Sequence, residues 1–332
     1  MKFTHLETLL RAEPAFRLKQ IKRLIFVDLI DSWDSATTLS KPLRAKLDAE
    51  ASLKINARSF AGDEGNTVKA VITLEDGNVV EAVLLRSIKN RNTVCVSTQV
   101  GCALGCEFCA TGKLGFKRNL TVDEIVEQVL LFARSLKKEN QKITNIVFMG
   151  MGEPMLNYDN VLAAIKVLHD EEGFNLGVRH FSISTVGIIP GIEKLAKEEM
   201  DVNLAISLHS ADESLRSQII PVNKKYPLKK IIAAVDDYIE KKNRQVMFEY
   251  ILLKDVNDTD ENARQLAKIM KKPLYHVNLI PYNITDDFEP SGKERIRSFK
   301  SILEKAGVSV SERFRHGTDI AAACGQLAGR AK

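Results

Sequence analysis

The chain has 332 residues, of which 45% are apolar and 27% charged, as is typical of a globular protein. This length predicts one large domain with a smaller appendage. No segment is as long and apolar as the roughly 20 residues that cross a bilayer, and the first residues are too polar for a signal peptide, so we expect a cytoplasmic protein without membrane contact. A net charge of +5 permits a nucleic-acid partner but does not require one.

Apolar residues at helical spacing come first and predict a helical accessory domain over residues 1–60. Segments that alternate apolar and polar residues then flank the turn signal Asp76-Gly77, and they predict a β-hairpin connector over residues 61–92.

From residue 93 to residue 310 the sequence alternates strands and helices. The strands are continuously apolar, as expected for a parallel sheet covered on both faces. Six such units predict an α/β fold, a partial (β/α)6 TIM-like barrel, with residues 311–332 as a C-terminal segment. The predicted strands are residues 94–98, 143–149, 180–185, 202–207, 246–253 and 275–282. The predicted helices are residues 121–137, 159–171, 190–199, 227–243, 259–271 and 291–306.

Residues with distinctive chemistry gather where these strands end. A cysteine cluster follows the first strand, GMGEP (150–154) follows the second, Ser184 ends the third, SLH (207–209) follows the fourth, and Asn283 follows the sixth. In β/α barrels the active site lies at the carboxyl ends of the strands. The sequence therefore predicts an active site at this end.

Three of the five cysteines, Cys102, Cys106 and Cys109, have the spacing C-x-x-x-C-x-x-C. Thiolates bind zinc, copper(I) or iron–sulfur clusters, and a structural zinc site usually takes four ligands from two close pairs. Because a second pair is missing here, the spacing favours an iron–sulfur cluster with one open iron over zinc. A zinc-stabilised, non-catalytic RNA-binding protein remains the alternative.

The cysteine spacing after the first strand, together with GMGEP, resembles the radical S-adenosylmethionine (SAM) superfamily. The resemblance narrows to the RlmN/Cfr family of RNA methyltransferases and runs from about residue 60 to the C-terminus. It rests on the segments CVSTQVGCALGCEFCATGKLGFKRNLT, GMGEPMLN, SISTVGIIPGI, ISLHS, PVNKKYP, NLIPYN and DIAAACGQLAG.

This resemblance implies a radical SAM barrel in which Cys102, Cys106 and Cys109 hold a 4Fe–4S cluster. One SAM would be the methyl donor and another the radical source. An external electron donor of the flavodoxin type and a monomeric enzyme are also implied. The residues matched to SAM contacts are Gly152, Glu153, Ser184, Ser207, Leu208, His209 and Asn283.

The resemblance also gives roles to the other two cysteines, which by themselves are equally consistent with core packing. Cys324 matches the cysteine that is methylated and whose methylene radical adds to the base. Cys95 matches the resolving thiol, which attacks the Cys324 sulfur and leaves a transient disulfide. Glu81 matches the proton acceptor, although a solvent-facing glutamate on a hairpin strand is nearly as good an interpretation.

The implied substrate is C2 of one adenosine in 23S rRNA, with a tRNA adenosine next to the anticodon as a second candidate. Cfr-like methylation of C8, which confers antibiotic resistance, is the alternative. RFRHGTD departs from the family pattern, since His316 stands where arginine is expected. Another radical enzyme without a methylcysteine, such as an activase, also remains open. We hypothesise that part of the RNA-binding surface is formed by the basic residues Arg17, Lys19, Lys22 and Arg23.

Overall fold

A computed structural model of the protein describes residues 5–87, 91–285, 288–313 and 317–329. Residues 314–316, which include the departure at His316, lie outside the described residues. Within the described part, no helix is long and apolar enough to cross a membrane.

The described strands are β1 (Ala57–Ala61), β2 (Thr67–Thr73), β3 (Val79–Ser87), β4 (Arg91–Cys95), β5 (Gln99–Gly101), β6 (Phe116–Asn119), β7 (Asn145–Phe148), β8 (Phe181–Thr185), β9 (Asn203–Ser207), β10 (Val246–Leu252), β11 (Tyr275–Pro281) and β12 (Val310–Glu312). The described α-helices are α1 (Leu6–Leu9), α2 (Phe16–Phe26), α3 (Lys41–Glu50), α4 (Ala110–Lys113), α5 (Val122–Lys138), α6 (Tyr158–His169), α7 (Ile189–Leu195), α8 (Glu213–Ile219), α9 (Leu228–Lys242), α10 (Asp260–Ile269) and α11 (Lys293–Lys305).

The six predicted barrel strands are confirmed as β4, β7, β8, β9, β10 and β11, which pair in parallel in that order. The six predicted helices between them also form, and α5 begins with a capping box in which Thr121 and Glu124 bond each other's backbone. Side chains such as Ile146 and Phe248 are fully buried, as expected for strands covered on both faces. The fold is the predicted α/β partial barrel.

The parallel sheet continues by one strand that the sequence analysis did not predict. The three-residue strand β12 pairs in parallel with β11. Its residues are half-buried or exposed, so they lack the continuous apolar run that marks the other strands. This addition places Arg313, the next residue, beside the carboxyl end of β11, where its backbone N–H donates to Leu279 O at 2.9 Å.

The predicted hairpin is formed by β2 and β3, and it extends the barrel sheet. Strand β3 pairs antiparallel with β4, so that Val83 lies opposite Cys95. Strand β1, which was not predicted, adds to the outer edge of β2. Because β3 and β4 run in opposite directions, the turn at Asp76-Gly77 rises at the same end of the sheet as the carboxyl end of β4.

The N-terminal helices pack on buried apolar residues such as Ile21, Ile25 and Trp33. Each of the four basic residues assigned above to an RNA surface has a carboxylate partner, which offsets its charge. The hypothesis therefore gains no support from these contacts, and it remains a prediction. The pairs are Arg17–Glu13 (3.7 Å), Lys19–Glu172 (2.6 Å), Lys22–Asp170 (3.6 Å) and Arg23–Asp28 (3.9 Å).

Candidate active site

A large cavity opens at the carboxyl ends of the parallel strands, where the sequence predicts the active site. Its volume is about 1380 Å³ including the space open to solvent. Most of the predicted site residues line it. These are Cys95, Cys102, Cys106, Cys109, Gly152, Glu153, Ser184, Ser207, His209, Asn283 and Cys324.

The three clustered cysteines lie on a loop that a small antiparallel ribbon, β5 with β6, closes at its base. Gly101 makes this closure possible, because its φ is +74° and a Cβ there would stand 1.8 Å from Gly115 O. The same oxygen accepts a hydrogen bond from Cys102 N at 2.9 Å. The loop thus presents all three thiols to the cavity from a fixed base.

Burial opposes ionisation of two of these thiols. Burial raises the pKa of Cys102 to about 11, and burial, followed by the nearby Cys109 and Cys102, raises the pKa of Cys106 well above its usual value. Thiols with such pKa values are protonated near neutral pH, whereas a coordinated metal deprotonates them. Within the described ranges, no three His, Cys, Asp or Glu side chains converge as ligands of a single metal ion. Cys102, Cys106 and Cys109 nevertheless line one cavity, and three thiolates can hold one iron–sulfur cluster.

The GMGEP segment follows β7 and turns sharply beneath the cysteine loop. Gly152 has a φ of +95°, and a Cβ there would lie 2.5 Å from the Gln99 side chain. Both carboxylate oxygens of the buried Glu153 accept backbone N–H bonds, from Met155 and Val186, each at 3.0 Å. Burial nevertheless raises the pKa of Glu153 to about 7, so a cationic ligand group nearby would favour its ionised form.

The loops after β8 and β9 contribute hydroxyl and imidazole groups. The Oγ atoms of Ser184 and Ser207 are 3.3 Å apart. Leu208 does not line the cavity, because its side chain is fully buried and its N–H donates to Glu249 O at 3.0 Å. A contact between Leu208 and SAM therefore remains a prediction without support from the side chain.

His209 is held as a neutral imidazole. Its Nδ1 accepts a hydrogen bond from Ile251 N at 3.1 Å, which leaves the proton on Nε2. Burial and the nearby charge of Arg216 lower the pKa of His209 to about 3. The Phe108 ring packs edge-on against the imidazole with centroids 4.7 Å apart. His209 can therefore offer a hydrogen-bond donor to a ligand without carrying charge.

Asn283 links the sixth strand to the C-terminal segment. Its Nδ2 donates to Cys324 O at 3.3 Å. Its Oδ1 is buried and has no hydrogen-bond partner among the described residues. A buried acceptor is normally satisfied, so this atom fits an N–H or O–H donor of a bound ligand.

Cys324 and Cys95 are far apart in the sequence, but both line the same cavity. The structure describes all five cysteines, and each is a free thiol. Burial, and then the nearby Cys324, raise the pKa of Cys95 to about 12, whereas the charge of Arg313 opposes this shift. Cys324 is exposed at the open cavity, yet the protein around its sulfur displaces enough water to raise its pKa, and Arg313 again opposes this shift. Both thiols therefore share one cation that favours their anionic forms.

Glu81 is fully buried on β3 but does not line the cavity. It shares its face of the strand with Val83, which does. One carboxylate oxygen lies 3.7 Å from the buried Lys69 ammonium, and the other accepts a hydrogen bond from Ala328 N at 3.1 Å. Glu81 is thus a buried, ion-paired group beside the C-terminal segment, and the interpretation as a solvent-facing glutamate is wrong.

The sequence analysis missed several charged residues at the site. Arg216 is fully buried and bonds the carbonyls of Val186 (2.6 Å), Ser207 (3.0 Å) and Leu208 (2.9 Å), which ties the loops after β8 and β9 together. Glu249 and Arg313 line the same cavity as Cys95 and Cys324, the two cysteines outside the three-cysteine loop. No local pattern distinguishes such buried charges from surface ones, since their environment comes from distant strands.

Comparison with known proteins identifies the family. The radical SAM superfamily profile matches residues 96–267. A Dictyoglomus thermophilum protein named "Probable dual-specificity RNA methyltransferase RlmN" is 47% identical over 317 residues, covering 95% of this chain and 91% of its own. Nitrosopumilus maritimus has a "Ribosomal RNA large subunit methyltransferase N" that is 42% identical over 94% of this chain and 92% of its own.

A solved structure agrees with these sequence relatives. The crystal structure of a radical SAM methyltransferase from Sphaerobacter thermophilus superposes with a TM-score of 0.95 at 42% identity, covering 99% of this chain and 98% of that chain. Such agreement over nearly the whole length includes the cavity as well as the barrel. This chain therefore belongs to the RlmN family of radical SAM RNA methyltransferases.

Proposed function

We propose that this protein methylates C2 of one adenosine in 23S rRNA through a methyl group carried on Cys324. An adenosine next to the anticodon of tRNA is the second proposed substrate. The observation that carries the mechanism is that the three-cysteine loop shares one cavity with both remaining cysteines, Cys95 and Cys324. The names of relatives, which refer to dual-specificity RNA and large-subunit ribosomal RNA methyltransferases, support these substrates.

The residues of the cavity fit a 4Fe–4S cluster and SAM. Cys102, Cys106 and Cys109 would hold the cluster, and the unpaired Oδ1 of Asn283 and the Nε2–H of His209 would orient SAM. When both groups are bound and reduced by an external donor of the flavodoxin type, they supply a 5′-deoxyadenosyl radical.

The chain's own thiols carry the methyl group. Adenine C2 has no acidic proton, so polar methyl transfer to it is unfavourable and a radical route avoids the problem. Cys324 accepts a methyl group as a thiolate, and Arg313 favours that form against the effect of burial. After hydrogen abstraction from the S-methyl group and addition of that carbon to C2, the adduct would lose one electron to an external acceptor and its ring proton to a base. Cys95 as a thiolate would then attack the Cys324 sulfur, forming a disulfide and breaking the S–CH2 bond, and the electron pair left on that carbon takes up a proton to complete the methyl group.

Glu81 is the proposed acceptor of the ring proton. The Lys69 ammonium 3.7 Å away favours the ionised carboxylate, which is the form that accepts a proton. Ala328, whose N–H donates to this carboxylate, lies four residues beyond Cys324 in the chain. Glu81 therefore contacts the segment that carries the thiol. Proton transfer then requires that the target base approach from the cavity face that Val83 lines.

The rim of the cavity supports an unpaired RNA segment as substrate. Among the described residues, four exposed large apolar side chains come from the segments that follow the carboxyl ends of β4, β7 and β11. Exposed aromatic rings stack on nucleobases, and lysines contact phosphates. Phe116, which is 46% exposed, stands next to Lys117 in such a position. The four side chains are Leu114, Phe116, Leu156 and Ile284.

The test uses anaerobically purified protein reconstituted with iron and sulfide, then incubated with reductant, SAM and an rRNA fragment. Nucleoside mass spectrometry should show 2-methyladenosine, which disappears in Cys324→Ala. Cys95→Ala should keep RNA covalently attached to Cys324, because no thiolate releases it. Formation of 8-methyladenosine would replace the C2 assignment by the Cfr-like one, and methylation that survives Cys324→Ala would refute the methylcysteine route.

A further inference from the structure

The three-cysteine loop is bonded directly to the segment that carries Cys324. The two residues after Cys109 make both contacts. Ala110 N–H donates to Gly325 O at 2.8 Å, and Thr111 Oγ1 donates to Leu327 O at 2.6 Å. The bonded carbonyls lie one and three residues beyond Cys324, so the contacts fix the chain just after the thiol.

The Cys324 segment depends on such contacts for its position. Residues 317–329 contain no helix or strand, so no regular backbone ladder holds them. Other hydrogen bonds that involve a side chain also reach the segment from elsewhere in the chain. They are Asp63 N to Asp319 Oδ2 (2.6 Å), Asn283 Nδ2 to Cys324 O (3.3 Å), Ala328 N to Glu81 Oε2 (3.1 Å) and Gln326 Nε2 to Ile284 O (3.0 Å).

Thr111 differs from these partners because it belongs to the cysteine loop itself. Its hydroxyl is also buried. The residue is 3% exposed, so without its hydroxyl the Leu327 carbonyl would lose its partner away from water. Thr111 is two residues from Cys109. The loop that holds the three cysteines therefore also fixes the distance between them and the Cys324 thiol.

We propose that Thr111 is a positioning residue that holds Cys324 at the distance from the three-cysteine loop needed for methyl transfer to its sulfur. The expected loss of Cys324 methylation rests on the proposed function, whereas the expected role of Thr111 in holding residues 317–329 does not. A misplacement of about 1 Å at a reacting atom can cost about 10²-fold in rate. The loss would therefore appear in steps that use Cys324, and not in the assembly of the loop.

The test compares Thr111→Val, which keeps the shape and removes the hydroxyl, with Thr111→Ser, which keeps the hydroxyl. The control is Thr144→Val, which also removes a threonine hydroxyl that bonds the backbone, here that of Asn92 (3.0 and 3.1 Å), together with a bond to the Asn145 side chain (3.0 Å), at the opposite end of the barrel. In cluster-free protein, hydrogen exchange is followed for peptides covering residues 317–329. In reconstituted protein, iron content, 5′-deoxyadenosine formation and methylation of Cys324 are measured separately.

Thr111→Val should accelerate exchange in residues 317–329 and lower Cys324 methylation about 10²-fold, with iron content and deoxyadenosine formation near wild type. Thr111→Ser should restore both, and Thr144→Val should change neither. Wild-type exchange in Thr111→Val would overturn the inference, as would an equal loss of iron and methylation. If wild-type protein does not methylate Cys324, the proposed function fails, while the exchange comparison still decides the role of Thr111.

Discussion

Replacement of Gly101 by alanine should prevent the cysteine loop from closing. The added Cβ would stand 1.8 Å from Gly115 O, whereas real Cβ atoms essentially never approach closer than 3.0 Å. The ribbon must therefore open by more than 1 Å at the oxygen that accepts the Cys102 N–H bond. A left-handed φ adds roughly 1–2 kcal/mol for any residue with a Cβ, so backbone strain alone is the smaller effect.

Gly105→Ala separates the clash from the strain. Gly105 also has a positive φ of +61°, but a Cβ there meets no atom within 4 Å. Both variants are reconstituted anaerobically, and iron and sulfide bound per chain are measured. We expect Gly105→Ala to bind nearly as much iron as wild type and Gly101→Ala to bind little. Equal iron binding by the two variants would show that loop closure at Gly101 does not control the cysteine site.

Three further predictions concern charge, pH and RNA. Lys69→Met removes the ammonium that lies 3.7 Å from the buried Glu81 carboxylate. It should lower the free energy of unfolding in urea by about 3–5 kcal/mol; a Lys69→Met/Glu81→Gln protein that is no more stable than Lys69→Met would contradict this. The pKa of His209 falls from 6.5 to about 3 on folding, so the free energy of unfolding decreases as pH drops below 6.5, by about 2 kcal/mol at pH 5. His209→Gln should remove that decrease. If the unfolding free energies of His209→Gln and wild type change in parallel with pH, the prediction is disproved. Phe116→Ala should raise KM for RNA several-fold through lost stacking, about 1–3 kcal/mol per base. The control Met247→Ala, at an exposed apolar side chain near the amino end of β10, should leave KM unchanged; equal KM values for the two variants would exclude stacking on Phe116.

The sequence predicted the barrel because its central strands carry a strong local signal. Strands such as β7 and β10 are continuously apolar, and burial on both faces requires that pattern. Strand β12 escaped prediction because three half-exposed residues have no such pattern. They pair only because β11 offers a parallel edge.

The part of the site that the spacing of cysteines in the sequence marks was predictable. The environments of residues whose partners are distant in the sequence were not. Three cysteines within eight residues mark a soft-metal site directly. By contrast, the environment of Glu81 depends on Lys69 across the hairpin and on Ala328 from the other end of the chain. No local pattern marks Arg313, and only the fold brings its charge near Cys95.

The bond between Thr111 and Leu327 joins residues 216 positions apart in the chain. At about 5–20 residues per second of synthesis, Leu327 is made about 10–40 s after Thr111. During that interval the cysteine loop has no C-terminal cover, and its thiols stand open to iron donors and to oxidants alike. Cofactor delivery to the nascent chain and oxidative damage to it would thus compete within the same time window, before the last wall of the cavity is made.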